Sequence, residues 1–306
     1  MASNPTPEDD NVLLALADDM ADGCHQHEVA LGIKQNIESV MRAAMAAVVT
    51  ARANLAAAKG AVTQKTADHL TIDTAAKGLL SNCRLRFVNL FGNGYNASWE
   101  EAGFPDGTTA VPDTMDRRFA LLTGIKNYLT VHPAAESADL GVTLAAVTAQ
   151  HTALSDARQA LNNAKTARTT AIDAETAAWR TLRKRVRGLI DELGTVIADD
   201  DARYLDFGLN IPATPVAPGP IATLTAAPLG DGKVLCEWTY AIRGESFRIL
   251  MKRQGIDTEF LTQGNVPGLE KKLAGLTVGQ TIELQVIPHN EAGDGPGSPI
   301  VTVTVT

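Results

Sequence analysis

Apolar residues recur at helical spacing in the first two-thirds of the chain. Larger side chains stand seven residues apart at Met41, Val48 and Leu55, and an alanine follows three positions after each of them. This is the a/d pattern of helices that pack side by side. Alanine at every second seam position lets two helix axes approach closely, so we predict a tight helix pair.

A second apolar stripe follows a polar gap. Its members are spaced 4-3-4-3 along the chain: Ala76, Leu80, Cys83, Phe87 and Leu90. The gap contains Thr71 and Asp73, which are good helix N-caps. We therefore predict a hairpin turn near residues 63–73. One continuous helix with a polar stretch is the alternative.

The whole pattern returns about 106 residues downstream. The sequence AR-x-x-L-x-x-AK-x-A at 51–61 stands again at 157–167, and a break with Arg168 and Glu175 again separates two stripes. The stripes of the second half are Val147, Leu154 and Leu161, then Leu182, Val186, Leu189, Leu193 and Val196. We predict a tandem duplication, with halves of about 1–112 and 113–212. The halves would bury their stripes on each other as an antiparallel helical bundle about a pseudo-two-fold axis.

Each half is also expected to open with a shorter helix and to close on an aromatic–glycine segment. Thr6-Pro7-Glu8-Asp9 is a good helix start, with Thr6 as the N-cap, and Gly23 could end or interrupt that helix. Asp113 or Thr114 would cap the corresponding helix, which stops before Pro133. The closing segments match at an offset of 105: Trp99, Glu101, Gly103 and Phe104 with Tyr204, Asp206, Gly208 and Leu209. Trp99 and Tyr204 are predicted to be core aromatic residues at equivalent ends of the bundle.

The composition changes after a proline-rich linker at residues 212–220, which we predict to be stiff. Beyond it, alternating apolar and polar positions predict short strands separated by turn signals: 221–224, 234–240, 247–252, 281–287 and 300–305. Short strands at this spacing indicate a β-sandwich. We therefore predict two domains, a duplicated helical bundle over 1–212 and a sandwich over 213–306.

Several of these segments resemble the fibronectin type III family. Val234–Trp238 is similar to the family's second strand with its core tryptophan, and 247–252 is similar to the third strand. Residues 276–280 resemble the Leu-x-x-Gly approach to the sixth strand, and 288–298 resemble the Asn-x-x-Gly-x-Gly-x-x-Ser loop before the last strand. Ile282 stands where the family usually has the tyrosine of a tyrosine corner. The resemblance implies a spacer or protein-binding module without catalytic residues. No family resemblance is identified for residues 1–212.

Charge and targeting signals narrow the classes of partner. The formal net charge is −8, so the chain lacks the broad basic surface of a nucleic-acid binder. The first ten residues have neither the basic nor the apolar region of a signal peptide. The most apolar window, Met41–Val62, is interrupted by charges and is too polar to span a bilayer. We expect no nucleic-acid partner, no membrane insertion and a cytoplasmic location by default, with release from the cell left open.

The densest set of metal-capable side chains is Cys24-His25-Gln26-His27-Glu28. On a helix Cys24 shares a face with His27 and Glu28, but a zinc site needs four ligands and no second cluster is evident. A polar helix end is the favoured interpretation, and no metal ligand is predicted. Whether Cys24, His25 and His27 bind a metal is left open. The cysteines, at 24, 83 and 236, are expected to be reduced thiols.

Two further patterns resemble binding sites. Arg180, Arg183, Lys184 and Arg187 share a helical face, with Arg185 nearby, and could bind phosphates or an acidic partner. A solvated face paired with acidic residues is favoured. Gly92-x-Gly94-x-x-Ala97 matches a dinucleotide loop only superficially, because it follows a predicted helix instead of a strand.

The sequence therefore predicts a multidomain α and β protein without catalytic residues or cofactors. The leading hypothesis is a non-enzymatic structural or scaffold protein that self-assembles as a homo-oligomer or binds a protein partner. The alternatives are an extracellular adhesion or binding module, and a helical bundle that binds a metal or another ligand.

Overall fold

The computed structural model describes residues 4–105 and 107–306. Its helical part contains five α-helices: α1 (Asp10–Leu31), α2 (Glu38–Phe91), α3 (Ala97–Glu101), α4 (Met115–Val131) and α5 (Leu144–Val196). Two short 3-10 helices lie at Pro133–Ala135 and Ala202–Phe207. The described chain divides into two compact units. The first contains the residues up to Ala51 together with Glu175–Thr306, and the second contains Arg52–Ala174. The predicted domain boundary at 212/213 stays a prediction.

The hairpin turn predicted near residues 63–73 is wrong, and the alternative of one continuous helix is confirmed. Helix α2 runs without a break for 54 residues, through 63–73, and α5 runs for 53 residues through the corresponding polar break. The threonines of the gap donate to carbonyl oxygens one turn back, as Thr66 does to Val62 (2.7 Å) and Thr71 to Ala67 (3.0 Å). Residues that favour caps are thus accommodated inside a helix by bonding the i−4 carbonyl. Asp73, expected as a cap, is instead a buried side chain.

The first unit has a helical core that joins the short helix α1 to parts of both long helices. Its buried residues come from α1, the start of α2, the end of α5 and the segment after α5: Leu13, Leu16, Ala17, Met20, Cys24, Met41, Ala44, Val48, Trp179, Leu182, Val186, Leu189, Leu193, Tyr204, Phe207 and Leu209. The first stripe of one sequence half is therefore buried in the same core as the second stripe of the other half.

The second unit has a helical core built from the parts of α2 and α5 that the first core does not contain. Its buried residues include the second stripe of α2, the closing segment, α4 and the start of α5: Ala76, Leu80, Cys83, Phe87, Trp99, Ala102, Phe104, Leu121, Leu122, Ile125, Leu129, Val147 and Leu154. Trp99 and Tyr204 are both buried, as predicted. Leu90 and Val196, the last predicted member of each second stripe, are instead 42% and 39% exposed.

The helix termini differ from the prediction at the N-terminus of α1. The N-cap is Asp9, whose carboxylate accepts from the backbone N–H groups of Asn11 (2.9 Å) and Val12 (3.0 Å). Thr6, predicted as the cap, lies before the helix. Gly23 does not end α1, which continues to a left-handed Gly32. A side chain at Gly23 would meet the Phe207 ring at 2.5 Å, so this glycine makes room for packing. Thr114 caps α4, as predicted.

The C-terminal part is a sandwich of two antiparallel sheets. The strands are β1 (Leu224–Gly230), β2 (Lys233–Trp238), β3 (Ser246–Arg253), β4 (Leu261–Val266), β5 (Glu270–Leu273), β6 (Thr281–Asn290), β7 (Gly293–Asp294) and β8 (Val301–Thr304). One sheet has the order β1-β2-β5. The other has the order β4-β3-β6-β7, with β8 also paired to β6. The alternating burial of β2, β3 and β6 matches the predicted period of two.

Helix α1 extends the sandwich core. Val12 is 2% exposed and packs with the inner residues of both sheets, among them Trp238, Phe247 and Leu284. The linker is also held in place, because Gly219 N–H donates to the Ile242 carbonyl (2.9 Å) and Asn290 Nδ2 donates to the Val216 carbonyl (2.8 Å). The sandwich is thus fixed on α1 within the first unit.

Across the described residues, no helix is long and apolar enough to cross a lipid bilayer.

Candidate functional site

One cavity of the first unit lies where the residues before α1 meet the sandwich. It has a volume of about 220 Å³. The walls come from residues 4–8, the first turns of α1, residues 208–210, the loop 240–245 and Pro267. We call this space the junction cavity. Segments from both ends of the described chain thus build one site, and no local motif in the sequence marks it.

The N-terminal wall is held by backbone and side-chain hydrogen bonds. Asn4 and Asn210 bond reciprocally: Asn4 Nδ2 donates to the Asn210 carbonyl (2.9 Å) and Asn210 N–H donates to Asn4 Oδ1 (2.7 Å). Arg183 donates to the carbonyl oxygens of Pro7 and Glu8 and to Asp10 Oδ1 (2.7 Å). These contacts place an extended segment that has no secondary structure of its own.

The sandwich wall is a strained loop between β2 and β3. Gly244 N–H donates to the Ala241 carbonyl (2.8 Å), and Arg243 has a φ of +64°. A left-handed backbone is costly for a residue other than glycine and persists only where its surroundings fix it. Asn290 Nδ2 provides part of that constraint by donating to the Arg243 carbonyl (3.1 Å).

Two polar atoms of the cavity wall are buried without a hydrogen-bond partner among the described residues: Thr6 Oγ1 and Arg243 Nε. Asp19 Oδ2, beside Gly208, is likewise buried without a hydrogen-bond partner among the described residues. Buried polar atoms normally have partners, and each exception needs an explanation. Unmet hydrogen-bonding capacity is therefore concentrated in the residues that surround the junction cavity.

Burial raises the pKa of two carboxyl groups near the cavity, those of Asp19 and Glu245. Burial, helped by repulsion from Asp18 and Asp22, raises the pKa of Asp19 to about 6, and Arg243 opposes that shift. Burial also raises the pKa of Glu245, with Glu291 adding repulsion. The pKa of Tyr240 is raised by burial and by the nearby Asp19. A desolvated site with one guanidinium among several carboxyl groups favours dipolar ligands over simple anions.

The metal-capable residues of the sequence are not brought together. Cys24 Sγ is buried and donates to the Asn36 carbonyl (3.3 Å), and burial raises the pKa of this thiol to about 12. His25 Nδ1 lies 2.8 Å from Glu38, and His27 Nε2 lies 2.7 Å from Asp206. Throughout residues 4–105 and 107–306, no group of three or more His, Cys, Asp or Glu side chains is arranged to hold a metal ion.

The arginine face is largely engaged within the first unit. Arg183 holds the N-terminal segment, Arg185 NH1 lies 3.4 Å from Asn36 Oδ1, and Arg187 pairs with Asp191 at 3.4 Å. Arg180 and Lys184 are exposed. Gly92 follows α2 with a φ of +86°, which makes it a helix-terminating glycine.

Comparisons with solved structures place fibronectin type III domains on the C-terminal part alone. The FN5 domain of Drosophila Lar is 23% identical over 29% of this chain and 97% of that chain, with a TM-score of 0.26. The sixth fibronectin type III domain of human fibronectin type III domain containing protein 3 is 17% identical over 30% of this chain and 89% of that chain (TM-score 0.27). The twitchin kinase region of C. elegans is 14% identical over 29% of this chain and 17% of that chain (TM-score 0.28).

These likenesses are too distant to carry function. No protein-family model matches the chain, and no curated protein matches it. The strands themselves and the motif residues around Trp238 support the fibronectin type III-like character of the C-terminal domain.

Proposed function

We propose that this protein is a non-enzymatic scaffold whose helical part holds a fibronectin type III-like sandwich in a fixed orientation for a protein partner. The observation that carries the proposal is the place of Val12. This residue belongs to α1, yet it is buried in the sandwich core. A flexible tether would leave a sandwich free to rotate, whereas a shared core presents its exposed surface in one orientation to α1. Fixed presentation is what an architectural or docking protein requires.

We further infer that the helical part arose by tandem duplication. Support comes from paired contacts at matching positions. His27 and Asp206 are 2.7 Å apart, and His132 and Glu101, each 105 residues from one of them, are 3.0 Å apart. Each pair joins the end of a short helix to a closing segment. Alanine bias alone would not reproduce a histidine–carboxylate contact.

A second pair of contacts supports the same inference. Glu192 accepts from the N–H groups of Lys34 (2.9 Å) and Gln35 (3.4 Å), in the segment before α2. Its counterpart at an offset of 106, Arg86, donates to the Ala135 carbonyl (2.9 Å), in the segment before α5. In one half a carboxylate binds backbone N–H groups, and in the other half a guanidinium binds a backbone carbonyl. At both positions the side chain holds the segment that precedes a long helix.

We also propose that the long helices act as a coiled-coil spacer. In the second unit, the middle of α2 has half-buried residues at 4-3-4-3 spacing: Ala58, Val62, Lys65, His69 and Ile72. Asp68, the other half-buried residue between 58 and 72, pairs with Lys65 (2.9 Å). A narrow seam of this kind, with mostly exposed residues between its members, is typical of a two-helix coiled coil. Such a spacer suits a structural protein better than a compact enzyme.

The surface through which we expect the sandwich to act is the edge strand β4. It pairs only with β3, and its sequence LTQGNV contains no charge and no proline. The other sheet ends in β5, which carries Glu270, Lys271 and Lys272, and in β1, which carries Pro228. Charged residues and proline protect sheet edges from pairing with other chains. The unprotected β4 edge can accept an extended segment of a partner protein.

The test is a pair of double substitutions in the full-length protein. Thr262→Lys with Asn265→Lys places two charges on β4, and Thr302→Lys with Thr304→Lys places the same two charges on β8 as a matched control. Light scattering across a concentration series and chemical crosslinking in the native extract would measure self-association and partner capture. We expect the β4 variant to lose the assembled or crosslinked species and the β8 variant to keep it.

A protein that stays strictly monomeric at high concentration and yields no crosslinked partner would contradict the scaffold proposal. Equal loss of assembly in both variants would leave the scaffold standing and remove β4 as its binding edge.

A further inference from the structure

The junction cavity has the features of a small-molecule site that the scaffold proposal does not use. Arg243 and Thr6 line it, and each has a buried polar atom without a partner among the described residues. Arg243 also holds a left-handed backbone conformation. A charged residue that holds a strained backbone in a cavity wall is the pattern of a prepared binding position.

The charges around the cavity are mixed in sign. Arg243 is its basic residue, while Glu8 and Glu245 are acidic residues of the wall and Asp19 stands behind Gly208. A simple anion would meet these carboxyl groups, and a simple amine would leave the Arg243 guanidinium in the wall without a negative group beside it in the ligand. A ligand with a negative and a positive end satisfies both signs.

The remaining wall is mostly apolar. Pro7, Val12, Leu16 and Leu209 contribute aliphatic surface. A dry cavity of about 150 Å³ holds a benzene-sized molecule, and drug-sized ligands need about 300 Å³ or more. The junction cavity, at about 220 Å³, lies between these limits. Its occupant is therefore a compact aliphatic molecule.

We propose that the junction cavity binds a small aliphatic amino acid in its zwitterionic form. The carboxylate pairs with the Arg243 guanidinium, the ammonium group faces the acidic side chains, and the aliphatic side chain lies against Val12, Leu16 and Leu209. Because the walls come from α1, the N-terminal segment and the sandwich, a bound ligand also stabilises the joint between them by mass action.

The test is methyl NMR of the full-length protein titrated with L-leucine. Val12, Leu16 and Leu209 supply methyl probes inside the cavity, and Val278 and Ile300, both exposed on the sandwich, supply probes away from it. We expect saturable shifts at the first group alone, with half-saturation at or below about 1 mM. Isocaproate, which lacks the ammonium group, and isoamylamine, which lacks the carboxylate, are expected to bind at least about tenfold more weakly.

The variant Arg243→Gly removes the guanidinium and tolerates the left-handed backbone, and Arg248→Ala is a matched control outside the cavity. We expect the first to weaken leucine binding at least about tenfold and the second to leave it unchanged. Should Arg243→Gly fail to fold, Arg243→Asn also suits the left-handed backbone, removes the guanidinium and is expected to weaken binding as well. Absence of shifts at the cavity methyls, equal binding of isocaproate or isoamylamine, or undiminished binding by these cavity variants would overturn the proposal.

Discussion

The two helical cores differ in the side chains that they bury at two matching positions. In the second core, Arg118 Nε donates to Asp73 Oδ1 (2.9 Å), and both residues are nearly inaccessible. At the matching positions of the first core, offset by 105 and 106 residues, stand Leu13 and Trp179, both buried. An ion pair in one core thus occupies the place of an apolar pair in the other.

This difference shows that the ion pair is not needed for burial itself. Two buried charges gain Coulomb energy only after a large desolvation cost, and apolar residues of similar volume often stabilise a core as well or better. What Arg118 adds is a further hydrogen bond to the Pro112 carbonyl (2.9 Å), which fixes the loop before α4. The corresponding loop before α1 is held instead by Arg183 from α5.

The largest effect is expected from breaking the ion pair. Asp73→Ala leaves Arg118 charged, buried and unpaired, which should cost about 3–5 kcal/mol of unfolding free energy. The double variant Asp73→Leu with Arg118→Met imitates the apolar solution and should recover most of that loss. Urea denaturation followed by circular dichroism measures both. A single variant as stable as the wild type would show that the pair is open to solvent.

Substitutions in the alanine positions of the long helices test whether both helices are closely packed there. Ala51 is 8% exposed in α2 and Ala157 is 9% exposed in α5. Leucine at either position should overpack its seam and destabilise the protein by about 1–3 kcal/mol. Ala57→Leu, at an exposed position of α2, is the control and should leave the melting temperature unchanged. Unchanged melting of both seam variants would mean that the seam is not close-packed.

The half-buried carboxyl of Asp19 gives the first unit a pH-dependent contribution to stability that has no equivalent at the matching position of the second unit. The residue matching Asp19, at an offset of 105, is Gly124. Because the pKa of Asp19 is raised from 3.8 to about 6, the native state binds more protons than the unfolded state between pH 4 and 6. Stability should fall as pH rises through that window, and the penalty should be complete above it.

Asp19→Asn removes the charge and should be about 1–2 kcal/mol more stable than the wild type at pH 8, after allowance for partial exposure. The gain should shrink toward pH 4. Denaturation curves at several pH values check this, and a gain that does not change with pH would exclude Asp19 titration as its source.

The smallest expected effect concerns helix glycines with open space around them. A Cβ added at Gly78 in α2 or Gly194 in α5 would meet no atom within 4 Å. Alanine at either position should stabilise the protein by about 0.5–1 kcal/mol through helix propensity. At Gly124 the added atom would lie 2.7 Å from the Gly103 Cα, so Gly124→Ala should destabilise instead. Calorimetry of the three variants gives the order.

Sequence periodicity predicted the buried faces well because burial repeats with the helix. All four of Leu182, Val186, Leu189 and Leu193 are fully buried. The predicted turns failed because Thr and Asp carry the same local signal at a cap and inside a long solvated helix. Strand β4 was not predicted, since its mostly exposed faces leave no alternation and Gly264 interrupts it.

The junction cavity could not be predicted from local pattern. Thr6 and Arg243 are 237 positions apart, and neither belongs to a recognisable motif. The sequence predicted Thr6 as the N-cap of α1, because a hydroxyl is common at N-caps, and this prediction gave no indication of a cavity wall. The left-handed backbone of Arg243 has no signature in residue type, since such positions usually hold glycine, asparagine or aspartate.

Each helical core draws its stripes from opposite halves of the sequence, and this has a consequence for a shortened chain. Residues 1–112 alone would contain Met41 and Val48 without Leu182 and Val186, and Leu80 and Phe87 without Val147 and Leu154. A single half therefore cannot complete either core by itself. Two copies could do so by exchanging their long helices, which makes an intertwined homodimer the expected form of any half-length fragment that folds.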